Sequence, residues 1–224
     1  MIERVVEGVL KVGDIQDVFV LTDDQRIMDV LLDTGAIPML TSADCRSGTE
    51  RILSVCEKLD ADIVLNIQGD EPMINAHHIQ SLINLMKVEQ PEIGTLCHKI
   101  TDNDSLFDFN KVKVVFNNLG KVMYFSRQAI PAHRDKAFKD WFDSSAYYQH
   151  IGVYGYKMNV LRQLKDLESS NLESSEQLEQ LNWMYNGHDV HIVEVEQGNS
   201  ISVDTEKDYK AALKLFKSQS GGSR

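Results

Sequence analysis

Val64-Leu65-Asn66-Ile67-Gln68-Gly69-Asp70-Glu71-Pro72-Met73 is the stretch whose reading decides the fold. The apolar run from Ile63 to Ile67 does not alternate, so it predicts a strand buried on both faces. The run stops at Gln68-Gly69-Asp70: an amide, a residue without a side chain, and a carboxylate. In an open α/β sheet the carboxyl ends of parallel strands form the edge where ligands bind. Asp70 is followed by Glu71-Pro72 and has no basic neighbour in the chain, which suits a magnesium ligand. Mg²⁺ takes hard oxygens and is often held by one or two carboxylates plus phosphate oxygens. A Gly-Asp pair taken alone is more often a plain polar turn.

Outward from this strand the elements alternate. On the N-terminal side, Ile2, Val5, Val6, Val9 and Leu10 form a helical stripe, and Asp17 to Leu21 reads as a strand. Asp23-Asp24 caps a helix through Ile27, Val30 and Leu31 that Gly35 closes. Ile37 to Leu40 is a short strand, and Ser47 caps a helix carrying Ile52, Val55, Cys56 and Leu59. On the C-terminal side a helix near Ile79 to Val88 leads to a strand from Ile93 to Ile100. Lys111 to Phe116 and Lys121 to Phe125, joined by Asn117-Asn118-Leu119-Gly120, predict a β-hairpin insertion. A strand (Tyr147 to Tyr156), two helices, a strand (Val190 to Val195) and a helix from Thr205 follow. The alternation predicts an α/β fold: three layers, Rossmann-like, around a mostly parallel sheet. No linker divides the chain, so residues 1–217 are expected to form one domain, with 218–224 as a flexible Ser/Gly-rich tail.

Composition narrows the partners. With 224 residues, 42% hydrophobic and 25% charged, the chain is long enough for one full α/β core. A formal charge of −11 disfavours nucleic acid or an anionic membrane surface but leaves room for a small phosphorylated substrate. No apolar run approaches the ~20 residues of a membrane span. Cys45, Cys56 and Cys97, odd in number and unrelated in spacing, predict reduced thiols in a cytoplasmic protein rather than a disulfide or zinc framework.

Three further groups of residues are candidates for chemistry, each with a plainer alternative. Ser47-Gly48-Thr49-Glu50-Arg51 opens a helix, where backbone N–H groups and hydroxyls favour anions; it is also an ordinary N-cap with a charged first turn. Asp204, after Ile201-Ser202-Val203, is equally a cap for the helix behind it. For Arg127 the plainer reading is a solvated charge, for Glu179 an exposed helix position and for Tyr154 plain core, while His150 is as readily a ligand as a satisfied core histidine. His77, His78, His188 and His191 lack zinc spacing and are expected at the surface.

Read together in order, these segments resemble the 3-deoxy-manno-octulosonate (Kdo) cytidylyltransferases. The blocks are Ser47–Arg51, Asn66–Pro72, Val112-Lys113-Val114-Val115, Tyr124-Phe125-Ser126-Arg127 with Ile130-Pro131, His150–Tyr154, Leu178–Leu181 and Val203-Asp204-Thr205. The resemblance implies CTP and a sugar acid as substrates, with CMP-Kdo and pyrophosphate as products for lipopolysaccharide synthesis. It implies Mg²⁺ shared by Asp70 and Asp204, and a nucleotide contacted by Ser47, Gly48, Thr49 and Arg51. It assigns the sugar acid to Gln68, Arg127, His150, Tyr154, Glu179 and Gln180, and it implies a cytoplasmic homodimer. A guanidinium for the sugar's carboxylate and mixed hydrogen-bonding groups for its hydroxyls suit that ligand. A different sugar acid, such as a sialic acid, is the competing substrate.

The first residue carries one more expectation. A doubly wound nucleotide-binding domain opens with a buried strand and a phosphate-cradling loop before its first helix. This chain opens inside that helix, and its only other basic cluster is Arg134 and Lys136. The basic Arg/Ser/Gly/Lys loop that the resemblance implies, and the strand before it, are therefore expected to be missing. On this reading the sequence is a fragment or a start-site error, or the protein is a non-catalytic homologue.

Overall fold

The computed structural model describes residues 1–72, 74–197, 206, 209, 210 and 212–214. The chain forms two compact units. One gathers Met1–Glu57, Ile67–Gln80 and the described residues of Gly198–Arg224; the other gathers Lys58–Asn66 and Ser81–Gln197.

The first unit holds α1 (Ile2–Val9), β1 (Phe19–Thr22), α2 (Gln25–Val30), β2 (Ile37–Leu40) and α3 (Gly48–Leu53). The helical stripe of the sequence becomes its core, since Val5, Val6 and Val9 of α1 are buried and Val6 packs with Val20 and Leu31. Strands β1 and β2 pair in parallel, Phe19 opposite Ile37 and Thr22 opposite Leu40. Asp24 starts α2 as expected: its carboxylate accepts from the Arg26 N–H at 2.8 Å. Hydrogen bonds from Arg26 hold that carboxyl down to about 2. The segment carrying Gly69 and Asp70 lies against α1, because a Cβ on Gly69 would stand 3.5 Å from Ile2 Cδ1. Further along it, Ile74 Cγ2 would be 3.0 Å from a Cβ on Gly8.

The second unit carries β3 (Ile63–Asn66), most of α4 (Ala76–Val88), β4 (Ile93–Lys99), α5 (Asn103–Phe107), β5 (Lys113–Phe116) and β6 (Val122–Ser126). It continues through β7 (Tyr148–Lys157), α6 (Met158–Gln163), α7 (Asn171–Glu176), α8 (Glu179–Tyr185) and β8 (Val190–Glu194). The strand order is β6-β5-β7-β4-β8, with β3 also on β7. Strands β3, β4 and β5 run antiparallel to β7, and β8 parallel to β4. Four strands therefore share one direction, as the alternating elements predict, while β6 and β7 run against them. The hairpin turn forms as read: Asn117 Oδ1 accepts from the N–H groups of Leu119 and Lys121, and Gly120 takes φ +73°.

Three layers follow from the pleat of β7, whose successive side chains point to opposite faces. Tyr154 and Tyr156 meet Trp183 of α8 with ring centroids 5.0 and 5.5 Å apart. Gly155 between them faces α4, where a Cβ would fall 2.8 Å from Met86 Cγ. Its register partner Gly94 faces the same helix, 2.7 Å from Met86 Sδ by the same measure. Two paired glycines thus let α4 sit close on the sheet.

Several expectations change. Ile63, Val64 and Leu65 are half-buried rather than buried on both faces, because among the described residues β3 pairs with β7 alone. Helix α5, capped by Asp102 accepting from Ser105 N–H at 2.7 Å, was not expected. Three α-helices rather than two lie between β7 and β8. His78 is buried and His188 pairs with Glu92, so of the four histidines read as surface residues only His77 is exposed. Thr205, where the last helix was to begin, and the tail 218–224 fall outside the described residues; Glu206, Tyr209, Lys210 and Ala212 to Lys214 are helical.

Candidate functional site

In the first unit, Ser47 is the N-cap of α3, its Oγ accepting from Glu50 N–H at 3.1 Å. The cap reading is therefore realised in geometry, and Gly48 follows at the first helical position with Thr49 buried. Arg46 binds the Glu50 carboxylate through its backbone N–H at 2.7 Å and Nε at 2.9 Å, holding that carboxyl below the usual range. Arg51 joins the carboxyl ends of the parallel pair. Its Nη1 donates to Thr41 Oγ1 at 2.6 Å and to Ser42 O at 3.3 Å, beyond β2, and its Nη2 lies 3.6 Å from Asp23 Oδ1, beyond β1. A guanidinium is thereby fixed at the strand edge where an α/β sheet meets its ligands.

Gln68 and Asp70 lie in a tight turn in which Glu71 N–H donates to Gln68 O at 3.3 Å. Both are half-buried. Among the described residues no three His, Cys, Asp or Glu side chains are grouped to hold a metal ion. A magnesium ion that takes one or two carboxylates and completes its shell with phosphate oxygens does not need such a group. Asp204, the second expected carboxylate, lies outside the described residues.

The second unit brings together the remaining candidates. His150 and Tyr154 project from the same face of β7, ring centroids 5.3 Å apart, and Phe125 of β6 meets His150 edge-on at 4.9 Å. Burial pushes the His150 imidazole down to about 3, so the ring is neutral. Burial also pushes the Tyr154 phenol well up, with smaller contributions from Tyr156 and the Glu179 carboxylate. Glu179 and Gln180 form the first turn of α8, Gln180 buried and Glu179 half-buried. Thus His150, Tyr154, Glu179 and Gln180 belong to one neighbourhood of the second unit, framed by Phe125 and Trp183.

Arg127 is neither a solvated charge nor open on all sides. Its Nε donates to Glu176 O at 2.7 Å, Nη1 to Phe109 O at 3.1 Å and Nη2 to Gln177 O at 3.3 Å. The Glu176 carboxylate accepts in return from Ser126 Oγ at 2.6 Å and Arg127 N–H at 2.8 Å. Gln177 is the left-handed residue (φ 51°) that ends α7 just before α8 begins. Arg127 and Glu176 therefore staple the end of β6 to the turn that delivers Glu179 and Gln180. A guanidinium has five N–H donors, so two remain for a ligand carboxylate.

Sequence reasoning missed the supports of this neighbourhood. Lys113, completely buried, donates its Nζ to Asp108 O at 2.8 Å and Lys111 O at 2.5 Å, and burial pushes it down to about 8. Thr95, also completely buried, lies 3.0 Å from His150 Nε2. For Lys113, a charged residue inside an apolar strand was the available signal.

The chain has clear relatives. The cytidylyltransferase family profile matches residues 1–194. A 3-deoxy-manno-octulosonate cytidylyltransferase of Francisella tularensis subsp. tularensis is 38% identical over 221 residues, covering 96% of this chain and 88% of the relative. One from Thermodesulfovibrio yellowstonii is 39% identical over 228 residues, covering 98% and 89%. Among solved structures, a CMP:2-keto-3-deoxy-manno-octonic acid synthetase complexed with CTP superposes with TM-score 0.89 at 33% identity, covering 97% of this chain and 88% of that one. This chain belongs to the cytidylyltransferase family of nucleotide-transferring enzymes.

Proposed function

We propose that this chain transfers the cytidylyl group of CTP to Kdo, giving CMP-Kdo and pyrophosphate. The observation that carries the reading is the buried polar neighbourhood of His150, Tyr154, Glu179 and Gln180, on a chain matched over 97% of its length to a CTP-bound synthetase. A ligand rich in hydroxyls, with one carboxylate, suits such a wall of mixed hydrogen-bonding groups beside a guanidinium.

A hydroxyl oxygen of the sugar acid forms the new bond to the α-phosphorus as the bond to pyrophosphate breaks, and the hydroxyl proton leaves to solvent. No covalent intermediate on the protein is required, so the residues act by positioning and charge. Arg51, Ser47, Gly48 and Thr49 serve the nucleotide; Gln68, Arg127, His150, Tyr154, Glu179 and Gln180 serve the sugar acid. Asp70 and Asp204 would hold Mg²⁺, which when bound offsets phosphate charge. The likeness to the relatives supports extending their reaction to lipopolysaccharide synthesis by a cytoplasmic homodimer. Three free cysteines suit a reducing compartment, and among the described residues no helix is long and apolar enough to cross a membrane.

The test is pyrophosphate release by the purified protein with CTP, Kdo and Mg²⁺, each also omitted in turn. Release that needs all three, with CMP-Kdo as product, is expected. Equal or better release with N-acetylneuraminate would replace the sugar acid, and no release with any sugar acid would remove the activity.

A further inference from the structure

Thr95 sits in β4 opposite the irregular part of β7. The register there jumps from Thr95↔Tyr154 to Leu96↔Ile151, which leaves Gly152 and Val153 as a bulge. Bulges of this kind re-aim side chains beside functional sites. The Thr95 hydroxyl bridges the bulge, 2.8 Å from Val153 O and 3.3 Å from Ile151 O. It is also 3.0 Å from His150 Nε2.

These three contacts fix the protons. A hydroxyl has one proton and two lone pairs, and a carbonyl oxygen can only accept. An approach of 2.8 Å between two oxygens with no proton between them would be repulsive, so the Thr95 proton goes to Val153 O. The contact with His150 must then run the other way, with imidazole Nε2–H donating to Thr95 Oγ1. A neutral imidazole has a single N–H, so Nδ1 carries a lone pair. Among the described residues the His150 ring hydrogen-bonds to Thr95 alone, while its backbone N–H donates to Val112 O at 2.8 Å.

We infer that Thr95 is a positioning residue that holds His150 as its Nε2–H tautomer and presents Nδ1 as an acceptor for a hydroxyl of the bound sugar acid. The inference rests on the proposed sugar-acid site for the identity of the ligand, and on the geometry alone for the tautomer. It gives His150 a definite selectivity: a lone pair accepts from a hydroxyl and repels a carboxylate or phosphate oxygen. The sugar's carboxylate therefore belongs to another residue, and His150 reads a hydroxyl.

The test has two parts. Nitrogen-15 NMR of the imidazoles in the full chain, with His150 assigned by the signals lost in His150→Gln, reads the tautomer without any substrate. Protonated Nε2 and unprotonated Nδ1 are expected; protonated Nδ1 would overturn the inference. Thr95→Val, which keeps the shape and removes the hydroxyl, should shift that equilibrium and raise the KM for Kdo by about 3- to 10-fold, the weight of one hydrogen bond. The KM for CTP should hold within about twofold, and Thr95→Ser should restore both tautomer and KM. An unchanged tautomer in Thr95→Val, or equal rises in both KM values, would overturn the positioning role. A changed tautomer with an unchanged KM for Kdo would leave the tautomer assignment standing and remove His150 from the sugar-acid site.

Discussion

The candidate residues of the two units are built differently. In the first unit they lie on turns and at a helix start, half-buried apart from the buried Thr49, and two already serve local structure: Ser47 caps α3, and Arg51 joins the ends of β1 and β2. In the second unit Arg127 follows β6 and the rest lie on β7 and the first turn of α8, with His150, Tyr154 and Gln180 buried in an aromatic setting. A charged, hydrated nucleotide suits the first kind of surface. A polyhydroxylated sugar ring, read by direction of hydrogen bonds, suits the second. The difference implies that residues of the second unit couple to folding, and residues of the first couple mainly to catalysis.

The largest stability effect should come from acid. The folded value of His150 lies near 3 against an ordinary 6.5. Above ~6.5 both folded and unfolded chains hold it neutral, so its contribution is flat there. As pH falls from ~6.5 toward 3 the unfolded chain takes the proton and the folded one does not. Stability then drops by up to ~1.4 kcal/mol per pH unit, on the order of 4 kcal/mol in all. Urea unfolding at stepped pH should show this acid limb in the wild type and a weaker one in His150→Gln; equal limbs would break the comparison.

Catalysis should dominate at Asp70. Asp70→Asn is expected to lower turnover by ~10²-fold or more at saturating Mg²⁺, with a far smaller effect on melting. Near wild-type turnover would remove the metal assignment.

Packing comes next. Gly155→Ala places a Cβ 2.8 Å from Met86 Cγ and 3.2 Å from Leu65 Cδ2, between α4 and the sheet. The expected loss is about 1–3 kcal/mol in chemical denaturation, because overpacking forces neighbours off their rotamers. No loss would mean that α4 can lift without cost.

The smallest expected effect also discriminates most finely. Ser47→Ala should cost about 1 kcal/mol as a lost N-cap. If the KM for CTP rises as well, Ser47 does both jobs; if only stability moves, it is a cap and leaves the nucleotide to Arg51 and its neighbours.

What could be read from the chain was local. Asp24 and Ser47 as caps, the strand at Ile37–Leu40 and the Asn117–Gly120 turn follow from short-range chemistry, and all stand in the structure. Arg127 was legible as a residue but not in its surroundings: carbonyls of residues 109, 176 and 177 converge on it only in three dimensions. Glu176, in a polar helix with no flanking signal, could not be singled out at all. Thr95 was hidden for the opposite reason, as a β-branched residue in a strand needs no special explanation. The half-burial of Ile63–Leu65 shows the same limit, since an apolar run states what a strand tolerates and not how many neighbours it has.

Lys113 has one further consequence. Near pH 8 about half of its side chains carry a neutral, nucleophilic amine, yet none of that amine is open to solvent. Its two carbonyl acceptors, Asp108 and Lys111, belong to the stretch that links α5 to β5. An amine-labelling reagent can reach Nζ only when that stretch detaches, so the labelling rate of this one lysine reports the free energy of a local opening. The residue is a built-in gauge of how often the second unit loosens while the rest of it stays folded.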